Sequence, residues 1–262
     1  MKIAKIFMLI AGLSATLSAA ELPQIIAHRG GSMEQAENTI SAMKNSYEKG
    51  MREFEFDVFL TTDKRVVLLH DSTLDRTTTG TGRISDKSSA ELADVKIKKN
   101  GEALPYLEDV IEFLKTYTNT RVHVEIKSER DRPDRPEEIA KIAFAMFKEN
   151  KIDSDRIIFV SFDHRPLKAI KALDPSWKVC IMKDVGDAQL LKDAKEIGAE
   201  WLSLNIDFAT RAFIREAHQA GLKTTVWTVH NDMDAQLVMA LGSDSVNTDI
   251  PAAQLEKKTA RP

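Results

Sequence analysis

Cysteine is almost absent: Cys180 is the only one in 262 residues. A lone thiol forms no internal disulfide, so the fold must stand on its hydrophobic core. Cys180 lies in the apolar run 178–182, where a thiol is an inert packed side chain. An excess of charge is also missing. The formal net charge of −3 gives no sign of the cationic surface that nucleic-acid binding needs. No proline-rich linker, internal repeat or low-complexity segment divides the chain, so one domain is expected. There is no glycine-rich phosphate loop either. Thr77-Thr78-Thr79-Gly80-Thr81-Gly82 lacks the Walker spacing and its lysine.

The single long apolar run is at the start. Lys2 and Lys5 precede mostly apolar residues 6–17, and Ser18-Ala19-Ala20 offers small residues for cleavage. That order reads as a secretory signal over residues 1–20, and the run is short for a membrane anchor, the alternative. Losing Lys2 and Lys5 takes the formal charge of −3 to −5. The expected mature protein spans residues 21–262, is periplasmic or secreted, and keeps no stable membrane insertion. Nothing in the sequence sets an oligomeric state.

What is present is an alternation. Strands are expected at 24–28, 53–60, 66–70, 122–127, 156–161, 178–182, 201–204, 224–229 and 245–248. Helices are expected at 39–49, 107–117, 136–149, 166–172, 187–197, 210–220 and 233–240. Leu107, Val110, Ile111 and Leu114 show the i, i+3, i+4, i+7 stripe of a helix with one buried face. About eight strand–helix units over about 240 residues predict an α/β fold, a closed (β/α)8 TIM barrel, with an open doubly wound sheet as the alternative. Residues 71–105 are too long for a plain strand-to-helix loop. They form an expected insertion, at about 72–105, after the second strand, capping the barrel mouth.

Histidine, arginine and carboxylates fall at successive strand ends: His28-Arg29-Gly30, Glu37-Asn38-Thr39, Glu55-Phe56-Asp57 and His70-Asp71. Glu55 and Asp57 are two apart, so both leave one face of a strand while Phe54, Phe56 and Val58 leave the other. In a barrel the apolar set packs on helices and the acids point inward. Two inward acids repel unless a cation sits between them. Glu125 and Lys127 repeat the pattern on another strand. Three such acids suit one hard divalent ion, Mg²⁺ or Ca²⁺, unless each pairs with a neighbouring Lys or Arg. His28 and His70 end strands, where barrel enzymes keep catalytic groups, and two imidazoles can exchange protons near neutral pH. Arg29 has the fork that grips phosphate oxygens, and Lys127 can neutralise the same group. His123 reads as a deeper interior residue, His218 as an exposed helical one, and His230 as a loop residue beside the site.

These fragments, in order, resemble the glycerophosphodiester phosphodiesterase family. Ala27-His28-Arg29-Gly30, Glu37-Asn38-Thr39, Glu55-Phe56-Asp57-Val58, Val67-Leu68-Leu69-His70-Asp71, Leu74-Asp75-Arg76-Thr77-Thr78, Val124-Glu125-Ile126-Lys127, Ser161-Phe162-Asp163, Val226-Trp227-Thr228-Val229 and Thr248-Asp249-Ile250-Pro251 carry the match over nearly the whole mature chain. Each fragment is weak; their order and spacing are specific. Two departures are Ala36, where the family often has proline, and Gly30-Gly31 in place of Gly-Ala; neither removes a chemical group. The resemblance implies a divalent ion held by Glu55, Asp57 and Glu125, and His28 and His70 as the acid–base pair, with His28 favoured as base. It also implies phosphate held by Arg29 and Lys127, and Trp227 lining the glycerol or substrate pocket unless it is a core aromatic. The expected substrate is a small glycerophosphodiester, cleaved to glycerol 3-phosphate and an alcohol. Lyso-lipid or phosphoinositide-type substrates rank lower. A two-lobed binding protein is disfavoured by the absence of a domain break, and a structural role on the barrel scaffold ranks lowest.

Overall fold

The computed structural model describes residues 23–250. The expected signal at 1–20 lies outside the described residues. Eight parallel strands form the barrel: β1 (Gln24–Ala27), β2 (Glu53–Leu60), β4 (Arg121–Ile126), β5 (Ile157–Ser161), β6 (Lys178–Lys183), β7 (Trp201–Asn205), β8 (Lys223–Val229) and β9 (Ser245–Thr248). They neighbour one another in that order, and pairing of β1 with both β9 and β2 closes the ring. β3 (Val66–Leu68) is no stave of the barrel; it runs antiparallel along β2, pairing Val58 with Leu68 and Leu60 with Val66. The helices α1 (Ile40–Glu48), α2 (Leu107–Thr116), α3 (Arg135–Glu149), α4 (His164–Leu173), α5 (Ala188–Ile197), α6 (Arg211–Gln219) and α7 (Asp232–Leu241) fall between strands as expected. Among the described residues no helix is long and apolar enough to cross a membrane.

Strand period explains the layers. Phe54, Phe56 and Val58 of β2 enter the main core with Val110, Ile111, Phe113 and Leu114 of α2, and the Phe54 and Phe113 rings meet edge to face at 5.3 Å. The alternate residues Glu53, Glu55 and Asp57 are equally buried and leave the other face of the strand. Several helix starts are capped by their own side chains. Thr39 accepts from the Ala42 N–H, Asp187 from Leu190 and Thr210 from Phe213, which satisfies backbone donors that the first helical turn leaves free.

The barrel interior has two unlike walls. Ile158, Val160, Cys180, Met182 and Trp201 form an apolar cluster with Trp227 packed on it. Cys180 is thus the packed side chain its sequence context implied, and burial pushes its thiol pKa up. The other wall is ionic. Glu53 pairs with Arg121, lies 3.1 Å from His123 Nε2, and accepts from Gln24 Nε2 at 2.6 Å. His123 is therefore the interior residue its register implied.

The insertion follows β3 and builds a core of its own from Leu74, Ile84, Leu92, Ile97 and Leu104 with Phe59, Val67 and Leu69. Thr78 lies inside it, fully buried, and donates to the Leu74 carbonyl, so residues 77–82 are insertion structure.

Burial alone would raise the Glu53 pKa; the His123 and Arg121 partners outweigh it and hold it below the usual range. A depressed folded pKa gives stability that is complete above the ordinary carboxylate value and lost as pH falls through the depressed one. Glu53→Gln is expected to lose about 2 kcal/mol in urea unfolding at pH 7. The gap to wild type should narrow as pH falls below the ordinary glutamate value of about 4.5. Parallel stability curves for the two proteins would contradict this account.

Candidate active site

β1 ends early. His28 opens a short 3-10 turn through Gly30, because Arg29 turns to the left-handed region at φ 49°. Gly31 follows at φ 108°, where a Cβ would meet Ser46 Oγ at 2.1 Å. This tight turn folds Arg29 back over the mouth of the barrel. Its N–H donates to Glu55 Oε2 at 2.9 Å, and its Nε comes 3.8 Å from Asp57 Oδ2. β3 likewise stops at Leu68, so His70 stands in the loop beyond it rather than in a strand.

The three acids meet as their register implies. One oxygen from each of Glu55, Asp57 and Glu125 lies within 4.8 Å of the others, and all three residues are buried. Asp57 and Glu125 are direct register partners across β2 and β4. Lys127 Nζ reaches Asp57 at 2.8 Å and Glu125 at 2.6 Å, so one ammonium answers two carboxylates. Glu55 Oε1 has no partner. Burial, then the charges of Asp57 and Glu125, raise the Glu55 pKa well above the usual range. Burial and Asp57 also raise Glu125. Asp57 goes the other way. Burial would raise it, yet Lys127, His70 and Arg29 hold it down at about 2. A buried, partnerless acceptor beside two more carboxylates fits a hard divalent cation, which would satisfy the oxygen and relieve the repulsion.

The histidines stand on either side of this cluster, each with its own carboxylate. His28 Nδ1 lies 2.8 Å from Asp249 Oδ1, and its Nε2 is 3.9 Å from Glu55. Asp249 also accepts from Ser32 and binds His230 Nδ1 at 2.8 Å. His70 Nδ1 lies 2.7 Å from Asp71. Burial lowers the His70 pKa, against an opposing pull from Asp57.

The expected residues Glu55, Asp57, Glu125, Lys127, Arg29, His28 and His70 therefore converge. Trp227 stands apart. Its strand β8 lies four strands around the ring from β4, and its ring meets Phe162 edge to face at 5.8 Å. Three contributors were given no role in the sequence. Asp249 orients His28. Asp71 orients His70. Asn38 locks Asp57, donating Nδ2 to Asp57 Oδ2 at 2.9 Å and accepting the Asp57 N–H at 3.0 Å. All three stand in the motif fragments, which was the only signal available.

The model of the glycerophosphoryl diester phosphodiesterase family matches residues 28–253. The chain belongs to that family. Relatives agree over most of their length. The glycerophosphodiester phosphodiesterase of Caldanaerobacter subterraneus subsp. tengcongensis is 32% identical over 87% of this chain and 94% of its own. A phosphodiesterase of Oleispira antarctica, solved with the product sn-glycerol-3-phosphate, superposes with a TM-score of 0.82 at 26% identity, covering 90% of this chain and 96% of that one. A glycerophosphodiester phosphodiesterase of Parabacteroides distasonis gives 0.80 at 28% identity over the same shares. As a family member the chain is an enzyme, with the (β/α)8 barrel expected from its sequence.

The carboxylate cluster makes a direct prediction. Mg²⁺ or Ca²⁺ at a hundred times its Kd should stabilise the protein by about 2.7 kcal/mol, read as a raised melting temperature. Glu55→Gln should abolish the rise while folding normally, and EDTA should reverse it in the wild type. An ion-induced rise that survives Glu55→Gln would place the ion elsewhere.

Proposed function

We propose that this enzyme hydrolyses small glycerophosphodiesters, such as glycerophosphocholine or glycerophosphoethanolamine, to glycerol 3-phosphate and the free alcohol. Family membership and the product-bound relative support the reaction class. The observation that carries the reading is the convergence of two carboxylate-oriented histidines on a buried acid cluster that has an unpaired oxygen.

Glu55, Asp57 and Glu125 would hold one divalent ion, which when bound supplies positive charge to the phosphate oxygens as negative charge builds up on them. Arg29 and Lys127 add fixed positive charge at the same mouth. One histidine takes the proton of the attacking oxygen, the glycerol 2-hydroxyl in this reading. That oxygen bonds to phosphorus while the bond to the alcohol breaks, and the other histidine protonates the departing oxygen. Water then opens the cyclic phosphate with the proton roles reversed. Burial disfavours a charged His70, which suits it to take the first proton, while the Asp249 carboxylate holds His28 Nδ1 at 2.8 Å. This supports His70 as acceptor and His28 as donor in the first step, the reverse of the order favoured from sequence. Trp227 and Phe162 would offer an apolar wall to the carbon skeleton. An N-terminal export signal and a periplasmic or secreted location complete the proposal.

The test is release of glycerol 3-phosphate from glycerophosphocholine by the purified mature protein. Activity should vanish with EDTA and return with Mg²⁺ or Ca²⁺. His28→Ala and His70→Ala should each lower turnover about a hundredfold or more. Near-native turnover in either variant sinks its assigned role, and no release with any metal sinks the substrate.

A further inference from the structure

One guanidinium of the insertion ties the two halves of the site together. Arg76 Nη1 and Nη2 donate to Glu37 Oε2 and Oε1 at 2.8 and 2.7 Å, a two-point pair. Its Nη2 also donates to Asp71 Oδ1 at 3.1 Å, and its Nε donates to Asp71 Oδ2. Asp71 is the carboxylate that holds His70 Nδ1. Glu37 is the carboxylate that accepts from Arg29 Nη1, at 3.0 Å. An unbroken chain of contacts therefore runs Arg29–Glu37–Arg76–Asp71–His70, from a phosphate-binding group to a proton-transferring one.

Arg76 is held at its base. Leu74, two residues earlier, is wholly buried in the insertion's own core. Its N–H donates to the Gly82 carbonyl at 2.9 Å, and its carbonyl accepts from Thr78 Oγ1 at 2.7 Å. A Cβ at Gly80 would stand 2.9 Å from Leu74 Cδ1, so that turn packs tightly on the leucine. The packed base limits how far the arginine can wander, while its head stays 47% exposed. An ion pair this exposed adds little to global stability, so its effect should be read in the chemistry.

We propose that Arg76 is a positioning residue that sets Arg29 and His70 in one rigid frame, and that the insertion serves catalysis by presenting it. This rests on the roles proposed above for Arg29 and His70. A lysine could meet either carboxylate but lacks the planar fork that meets both.

The experiment is steady-state kinetics on glycerophosphocholine with metal present. Arg76→Gln should lower kcat and raise KM together, with kcat/KM down by about 10- to 100-fold, the scale of losing an outer partner of a site residue. Arg76→Lys should recover only part. Glu37→Gln, which leaves Arg76 on Asp71, should act mainly on KM. The decisive readout is coupling: in a His70→Ala background, Arg76→Gln should cost much less than it does alone. Melting temperatures near wild type show that the variants fold. Turnover of Arg76→Gln within twofold of wild type, or an undiminished penalty in both His70→Ala and Arg29→Ala backgrounds, overturns the proposal. A wild-type protein inactive on phosphodiesters fails the reading beneath it and takes the proposal with it.

Discussion

Three carboxylates kept together against their own repulsion set the terms for the rest of the mouth. Glu55, Asp57 and Glu125 are buried side by side on adjacent strands, where desolvation and mutual charge both disfavour ionisation. What surrounds them is the compensation. Lys127 answers two of the acids, the Arg29 N–H answers the third, and Asn38 spends its whole amide on Asp57. The compensation is incomplete at Glu55 Oε1. A buried carboxylate oxygen without a partner is costly in a purely structural network, and it is useful where a cation is to be bound.

The same strand that creates this tension also bears its cost. β2 is buried along all eight residues. Its outward phenylalanines and valine lie in the core shared with the helices, and that packing fixes the register that turns Glu53, Glu55 and Asp57 inward. A slip of one residue would put three acids into the helix layer. At the lower end Glu53 is fully answered by Arg121, His123 and Gln24. Neutralised acid at the base and under-neutralised acid at the mouth separate stability from chemistry along one strand.

Much of this was legible in the sequence, because it follows from period two. Glu55 and Asp57 must share a face, Glu125 must share one with His123 and Lys127, and a closed barrel turns those faces together. The helices were legible from their apolar stripes, and a long break in the rhythm marked the insertion. The contacts that aim the side chains were not. Asp249 and His28 are 221 residues apart, and only ring closure between β9 and β1 brings them within 2.8 Å. The direction of β3 was hidden as well, since three apolar residues read alike in a parallel or an antiparallel partner. Arg76 was visible in its motif, but its two carboxylates come from different loops, and no periodicity links them.

The two walls of the interior give the mouth its direction. The ionic wall faces an apolar one made by β5 to β8, with Trp227 and Phe162 at its upper edge. Charges near a wall of low polarisability interact more strongly than charges ringed by water. Apolar residues opposite the acids therefore do more than fill space: they strengthen the attraction of Arg29 and Lys127 for an anionic group placed between the walls. Under the proposed function, with a divalent ion on the acids, such a group would lie with charged oxygens toward β2 and β4 and carbon toward Trp227. A phosphodiester has that polarity, an anionic centre carrying carbon on either side. A small ester held this way would be oriented by that asymmetry before any histidine moves a proton.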